Sequence, residues 1–271
     1  MSLKIPAKTI AGLPRQAPDN LKDKDALLWT SKSGVRSWAK ADSTATQLNL
    51  HEARLIRMPT KYPNRQNYQG HYWFSAVDDL IWHESMEEYA ALMWLDYSSA
   101  VNAIAPQPMC LYFADGSRHV PDYFLRYSDG TQALYDVRPL NLVDEKFEVQ
   151  VEHTREMCTR IGWDYSVFMG MDVVPQMNLE WLATYRDVWC EPSDVVARAL
   201  NNFLRSPRRI ADVAQYLDGA NPSRHMHSIF NQIWHQSIVF DPHIPLNWDT
   251  IVRLPTGGFD FPAWFSSGVT R

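Results

Sequence analysis

Two aspartates and a glutamate have the residue types and spacing for metal-assisted chemistry. Asp122 follows Pro121, and Asp136 opens the triplet Asp136-Val137-Arg138. The extended runs Met109–Phe113, His119–Tyr127 and Thr131–Val137 are separated by Asp-Gly turns, a hairpin signal. Side chains alternate along a strand, so Asp136 and Arg138 are expected on one side, with Val137 toward the core. In a hairpin closed by Ser128-Asp129-Gly130, Asp122 and Asp136 come near one another across adjacent strands. Crowded carboxylates of this kind suit Mg²⁺ or Mn²⁺. The ion would polarise a phosphoryl oxygen and activate a water, and Arg138 would stabilise charge developing on the phosphate. From spacing alone, the same residues also describe a structural ion pair at a sheet edge.

The elements around these residues supply more candidates. From Ile81 to about Tyr97, Glu84, Glu87, Glu88, Ala91, Leu92 and Leu95 follow a 3.6-residue period, which predicts a helix. Glu88 shares the stripe of Glu84, Ala91, Leu92 and Leu95, so it is expected to point inward as a third metal ligand. His119, three residues before Asp122, reads either as a hydrogen-bonding or phosphate group or as an ordinary strand-edge histidine. Pro106 and Pro108 mark a break before the first strand. Val143–Ile161 reads as a long helix ending at Gly162, Trp163–Met169 as a strand and Leu179–Tyr185 as a short helix. The order is α-β-β-β-α-β, a mixed sheet flanked by helices.

This set of motifs resembles the PD-(D/E)xK nuclease superfamily, and within it the TnsA-type endonuclease subunit of heteromeric transposases. The similar run covers residues 70 to about 185. Glu84 and Glu88 match a Glu-bearing helix, and Gln107-Pro108 matches a Gln-Pro. Val120-Pro121-Asp122-Tyr123 matches the second strand, and Asp136-Val137-Arg138 the third. The resemblance implies a restriction-endonuclease-like αβββαβ core of α/β (α+β) class, with Glu88, Asp122, Asp136 and Arg138 catalytic. Glu88, Asp122 and Asp136 would hold Mg²⁺ or Mn²⁺, with Glu84 and Gln107 accessory; His119 joins them as an accessory candidate by its position beside Asp122 alone. It further implies cleavage of double-stranded DNA at the 5′ ends of a mobile element, beside a transposase subunit and an ATPase regulator. One position departs from the family, because Arg138 stands where a Lys is usual. Arginine keeps the charge but cannot deprotonate and presents a broader fork. A catalytically inactive adaptor binding DNA or partner proteins is therefore the alternative.

Composition bounds these readings. The chain has 271 residues, 45% hydrophobic and 13% aromatic, enough for a packed core and too much for a disordered chain. Its net charge of -5 argues against simple coating of nucleic acid, but the charge is unevenly distributed. Residues 1–70 hold 12 Lys and Arg against 5 Asp and Glu, whereas residues 71–190 hold 7 against 19, and 191–271 hold 7 of each. Three domains are expected: a basic, partly ordered N-terminal arm (1–69), a nuclease-like domain (70–190) and a C-terminal winged-helix-like domain (191–271). In the arm, ordered pieces are expected around Leu27–Trp29 and Val35–Trp38. Arg54, Arg57, Lys61 and Arg65 form either a solvated basic face or a phosphate-contacting segment.

In the C-terminal part, Ser193–Leu204, Arg208–Leu217 and Pro222–Trp234 read as helices, and SIVFD and WDTIVRL as strands. Three helices and a hairpin are the order of a winged helix, which binds either DNA or protein. Trp234, Trp248, Trp264 and Phe265 suggest a protein-docking surface or a core. Arg205, Arg208 and Arg209 read as phosphate contacts or as a solvated helix end. No run approaches the ~18–20 apolar residues of a membrane helix, so no membrane partner is expected. MSLKIPAKTIAGLPRQ has no apolar signal core, so a cytoplasmic location is expected. Cys110, Cys158 and Cys190 are scattered and odd in number, which suits reduced thiols.

Overall fold

The computed structural model describes residues 12–57, 68–98 and 100–256, and the backbone of a short strand at 269–270. The chain is mixed α and β and divides into two compact units. The first gathers 1–92, 99–170 and 268–271, and the second 93–98 and 171–267.

The first unit contains strands β1 (Ala26–Thr30), β2 (Arg36–Lys40), β3 (Gly70–Phe74) and β4 (Asp79–His83), then helix α1 (Met86–Ser98), whose last turns belong to the second unit. Strands β5 (Val101–Pro106), β6 (Met109–Tyr112), β7 (Arg118–His119), β8 (Tyr123–Tyr127) and β9 (Gln132–Val137) follow, then helix α2 (Glu145–Ile161) and strand β10 (Asp164–Phe168). One sheet has the order β2-β1-β6-β7. Another has β8 antiparallel to both β5 and β9, β9 parallel to β10, and Val269–Thr270 on the far edge. Strands β3 and β4 form a separate hairpin.

Four sequence expectations change here. Residues 81–83, expected to begin the helix, instead pair with β3 as the end of β4, and α1 begins at Met86. Residues 26–40 form a hairpin whose β1 pairs with β6, because Ala26, Leu27 and Leu28 are apolar on both faces and fully covered. The break at Pro106–Pro108 is instead a corner between sheets. Val101–Pro106 is a strand of its own, and Gln107 turns the chain at φ +41° into β6, which belongs to the other sheet. Pro106 is tolerated because β5 is an edge strand. His119–Tyr127 is likewise split. Residues 120–122, with Pro121 lacking an N–H, carry the chain from β7 in one sheet to β8 in the other.

The main core joins both sheets to α2. Leu27 and Leu111 pack with Phe124, Leu134, Tyr165 and Val167, and with Met157, Cys158 and Ile161 of the helix. Each fully buried Leu, Val or Phe contributes about 1.5–3 kcal/mol. Helix α2 has well-marked ends. The Asp144 carboxylate accepts from Phe147 N at 2.9 Å, and Gly162 closes the helix at φ +92°. The thiols of Cys110 and Cys158 lie in the cores, where burial pushes that of Cys110 up to about 12.

The second unit contains α3 (Val173–Ala183), α4 (Asp194–Phe203), β11 (Arg208–Arg209), α5 (Ile210–Leu217), α6 (Met226–Trp234), β12 (Val239–Phe240) and β13 (Ile251–Arg253). Its sheet has the order β11-β13-β12, so the expected hairpin gains a third strand from Arg208-Arg209. Helix α3 belongs to this unit. Asn178 donates to the carbonyls of Pro242 and Ile244, and Trp181 meets Phe230 edge-on. Trp234 is core, whereas Trp248 is exposed; Trp264 and Phe265 lie outside the described residues. Arg209 is paired with Asp212 and Asp249, Arg208 lies over the Phe203 ring, and Arg205 donates to Asn202. Among the described residues, no helix is long and apolar enough to cross a membrane.

Candidate functional site

Asp122 sits at the sheet crossover, one residue before β8, and its main chain is held on both sides. Its N–H donates to Asp136 Oδ1 at 3.2 Å, and its C=O accepts from Gln107 N at 2.7 Å. Its own carboxylate accepts from Val137 N at 2.8 Å. The pairing of Tyr123 with Tyr135 therefore extends by one step into a contact between the two aspartates.

Asp136 is only 2% exposed, less than the half-buried Val137, so the expected inward residue of this strand is reversed. Both faces of β9 are covered, and Asp136 faces the α2 side. There its Oδ2 meets His119 Nε2 at 2.7 Å and accepts from the Tyr165 hydroxyl at 2.6 Å. A carboxylate acceptor requires the proton on Nε2 of His119. Buried charges persist where they are hydrogen-bonded in this way. His119 is thus a buried partner of Asp136. Tyr165 carried no sequence signal, because it lies in a strand that reads simply as core.

Glu88 is placed by the start of α1. The Ser85 hydroxyl accepts from Glu88 N at 3.1 Å, and Glu88 Oε2 accepts from Glu84 N at 2.7 Å and from the Tyr123 hydroxyl at 3.4 Å. Ser85 and Glu88 have the Ser-x-x-Glu spacing of a capping box, a legible signal that accounts structurally for Glu88. Burial, and then the charge of Glu84, hold the Glu88 carboxyl above its ordinary value against the hydrogen bonds it accepts. Asp122 is held well above the carboxylate range, first by burial and then by the charges of Asp136 and Glu88. Glu88, Asp122 and Asp136 are therefore electrostatic neighbours.

The two arginines of this region have different partners. Arg138 donates from Nε to the Leu142 carbonyl at 2.8 Å, and its guanidinium lies over the Phe147 ring at the start of α2. Arg57 instead joins the carboxylates, with Nε donating to Gln107 Oε1 at 3.0 Å and Nη2 to Glu84 Oε2 at 3.1 Å. Its charge opposes the upward shifts of Asp122 and Glu88. Gln107 links the two segments, since its C=O accepts from Ile56 N and its N–H donates to Asp122. Gln107 Nε2 is buried without an acceptor among the described residues, a group whose desolvation costs about 1–3 kcal/mol. Arg54 lies apart, donating to the Lys32 carbonyl, while Lys61 and Arg65 lie outside the described residues.

No protein-family model matches this chain, and no curated protein matches it.

The donor set has the chemistry of a hard-cation site, all carboxylate oxygen with like charges crowded together. Among the described residues, no three His, Cys, Asp or Glu side chains stand ready-grouped around one point. Several oxygens are engaged with protein donors, yet each carboxylate retains capacity. Asp122 Oδ1 accepts nothing among the described residues, Asp136 Oδ1 accepts one N–H, and Glu88 Oε1 has only the Ser85 hydroxyl at 3.5 Å.

Proposed function

We propose that this chain is a metal-dependent DNA endonuclease subunit of a transposition complex, hydrolysing phosphodiester bonds at the 5′ ends of a mobile element. The observation that supports the reading is the contact of Asp122 with Asp136 across the sheet crossover, beside the charge of Glu88, with Asp122 pushed well above the carboxylate range by burial and by the other two charges. Uncompensated carboxylates at such a crossover are destabilising, and a divalent cation relieves them. The order α1-β5-β8-β9-α2-β10, with one parallel and two antiparallel pairings, supports a restriction-endonuclease-like core. The order α4-β11-α5-α6-β12-β13 supports a winged-helix-like second unit.

Glu88, Asp122 and Asp136 would hold Mg²⁺ or Mn²⁺. When bound, the ion supplies Lewis-acid polarisation of a phosphoryl oxygen. The protein supplies orientation. His119 and Tyr165 fix Asp136 through Oδ2, which leaves Oδ1 toward Asp122. Val137 N and Gln107 N hold Asp122 at the crossover, and the Ser85 hydroxyl and the Glu84 N–H hold Glu88. Double-stranded DNA, a transposase subunit and an ATPase regulator are the partners in this reading. The engagement of Arg138 with Leu142 favours a second one, a non-catalytic adaptor on the same scaffold.

Nicking of the matching transposon end, with partner subunits and Mg²⁺ or Mn²⁺, separates the two. Wild type should cleave and Asp122→Ala should not. Cleavage that survives Asp122→Ala removes the catalytic assignment, and a wild type that binds the end without cutting it selects the adaptor.

A further inference from the structure

We propose that Arg57 is the cation that meets the scissile phosphate in this site, in the role that the resemblance would give to Arg138. The inference rests on the endonuclease reading above.

Geometry separates the two arginines. The Arg138 guanidinium is directed to the Leu142 carbonyl and stacked on Phe147, at the start of α2. The Arg57 guanidinium stands among the acidic residues of the site, fixed at two corners by Gln107 Oε1 at 3.0 Å and Glu84 Oε2 at 3.1 Å. These contacts use two of the five N–H donors of a guanidinium. Among the described residues, nothing accepts from the rest, and the side chain remains 37% exposed. A fixed, half-exposed guanidinium with free donors is suited to two-point contact with a phosphate.

The placement of Arg57 also follows the placement of Asp122. Gln107 accepts from Arg57 through its side chain, accepts from Ile56 N through its C=O, and donates its N–H to Asp122. One residue in a left-handed backbone conformation thus joins the cation to the crossover aspartate. Glu84 is the counterion that holds Arg57 in place, so its accessory role is to position the guanidinium. The reaction needs such a charge. As the water oxygen bonds to phosphorus and the bond to the leaving sugar oxygen breaks, negative charge grows on the phosphoryl oxygens. One water proton leaves as the sugar oxygen takes one up, and the second stays on the new phosphate monoester, whose second ionisation near pH ~6 releases it to solvent. Arg57 stays protonated throughout and stabilises the charge in between.

Single-turnover nicking of the transposon end by the full chain with its partner subunits tests this. Arg57→Ala should slow cleavage about 100-fold or more, and Arg57→Lys should recover part of the rate. Arg138→Ala should slow it much less than Arg57→Ala. Millimolar guanidinium ion should restore rate to Arg57→Ala, a response that loss of a purely structural contact would not show. Arg57→Gln removes the charge while keeping a donor for Gln107, and gives the same comparison if the alanine variant melts early. Equal or greater loss in Arg138→Ala, or unchanged cleavage by Arg57→Ala and Arg57→Gln, overturns the assignment while leaving the endonuclease reading intact. Failure of wild type to cleave removes both.

Discussion

The backbone N–H of Asp122 donates to the carboxylate of Asp136 across a point where the chain passes from one sheet to another. That contact brings a second negative charge against Asp122, whose own carboxylate has, among the described residues, only the Val137 amide as a hydrogen-bond donor.

Neutralising Asp122 should therefore stabilise the protein. Its carboxyl is held above the unfolded value, so its contribution to stability is intact below pH ~4 and is lost as pH rises through the folded value. Asp122→Asn should melt higher than wild type near neutral pH without divalent ions, by ~2–4 °C for each kcal/mol relieved. The difference should vanish in acid. Added Mg²⁺ or Mn²⁺ should raise the wild-type Tm and leave that of the variant unchanged. A lower Tm for the variant at neutral pH contradicts this account.

His119 and Tyr165 act on a single oxygen of Asp136. Tyr165→Phe should cost about 1–2 kcal/mol and His119→Ala about 1.5–3 kcal/mol, measured by urea unfolding of the first unit. The double variant should lose a different amount from the sum of the singles, because the partners share an acceptor. Strict additivity would show that they act independently.

Ser85→Ala removes the helix cap that places Glu88. A stability loss of about 1 kcal/mol is expected. Calorimetry should also show weaker Mn²⁺ binding, because Glu88 loses its fixed approach. Unchanged stability and binding together would mean that the cap does not position the carboxylate.

Gly162 ends α2 at φ +92°, and a Cβ added there meets open space. Gly162→Ala should cost about 1–2 kcal/mol through backbone strain alone. Gly162→Asn should lose less, since asparagine accepts the left-handed conformation more readily. Equal losses in the two variants would point to a cause other than backbone conformation.

Local chemistry made much of the fold legible. The 3.6-residue pattern with Asp144 and Gly162 marks α2, and the Asp-Gly pairs at 115–116 and 129–130 mark the two hairpin turns. The pattern placed a helix around Glu88, and Ser-x-x-Glu could have placed its first turn more closely. Sheet membership was not legible. Met109–Tyr112 and Val101–Pro106 are both plausible strands, and which one flanks β8 depends on the turn at Gln107 and on pairing with β1, about 80 residues earlier in the chain.

The site divides along the same line. The sequence alone determined which side chains carry charge, that a hairpin can bring Asp122 and Asp136 near one another, and that a glutamate-bearing helix precedes them. Only the tertiary structure decided that His119 and Tyr165 hold Asp136, that Arg138 turns to the Leu142 carbonyl, and that Arg57 stands with the carboxylates. Spacing along the chain sets the neighbours within a strand or a helix turn. A guanidinium on a long, flexible stem is placed by whichever acceptors folding brings within reach, and for Arg57 those are Glu84 and Gln107, 27 and 50 residues away.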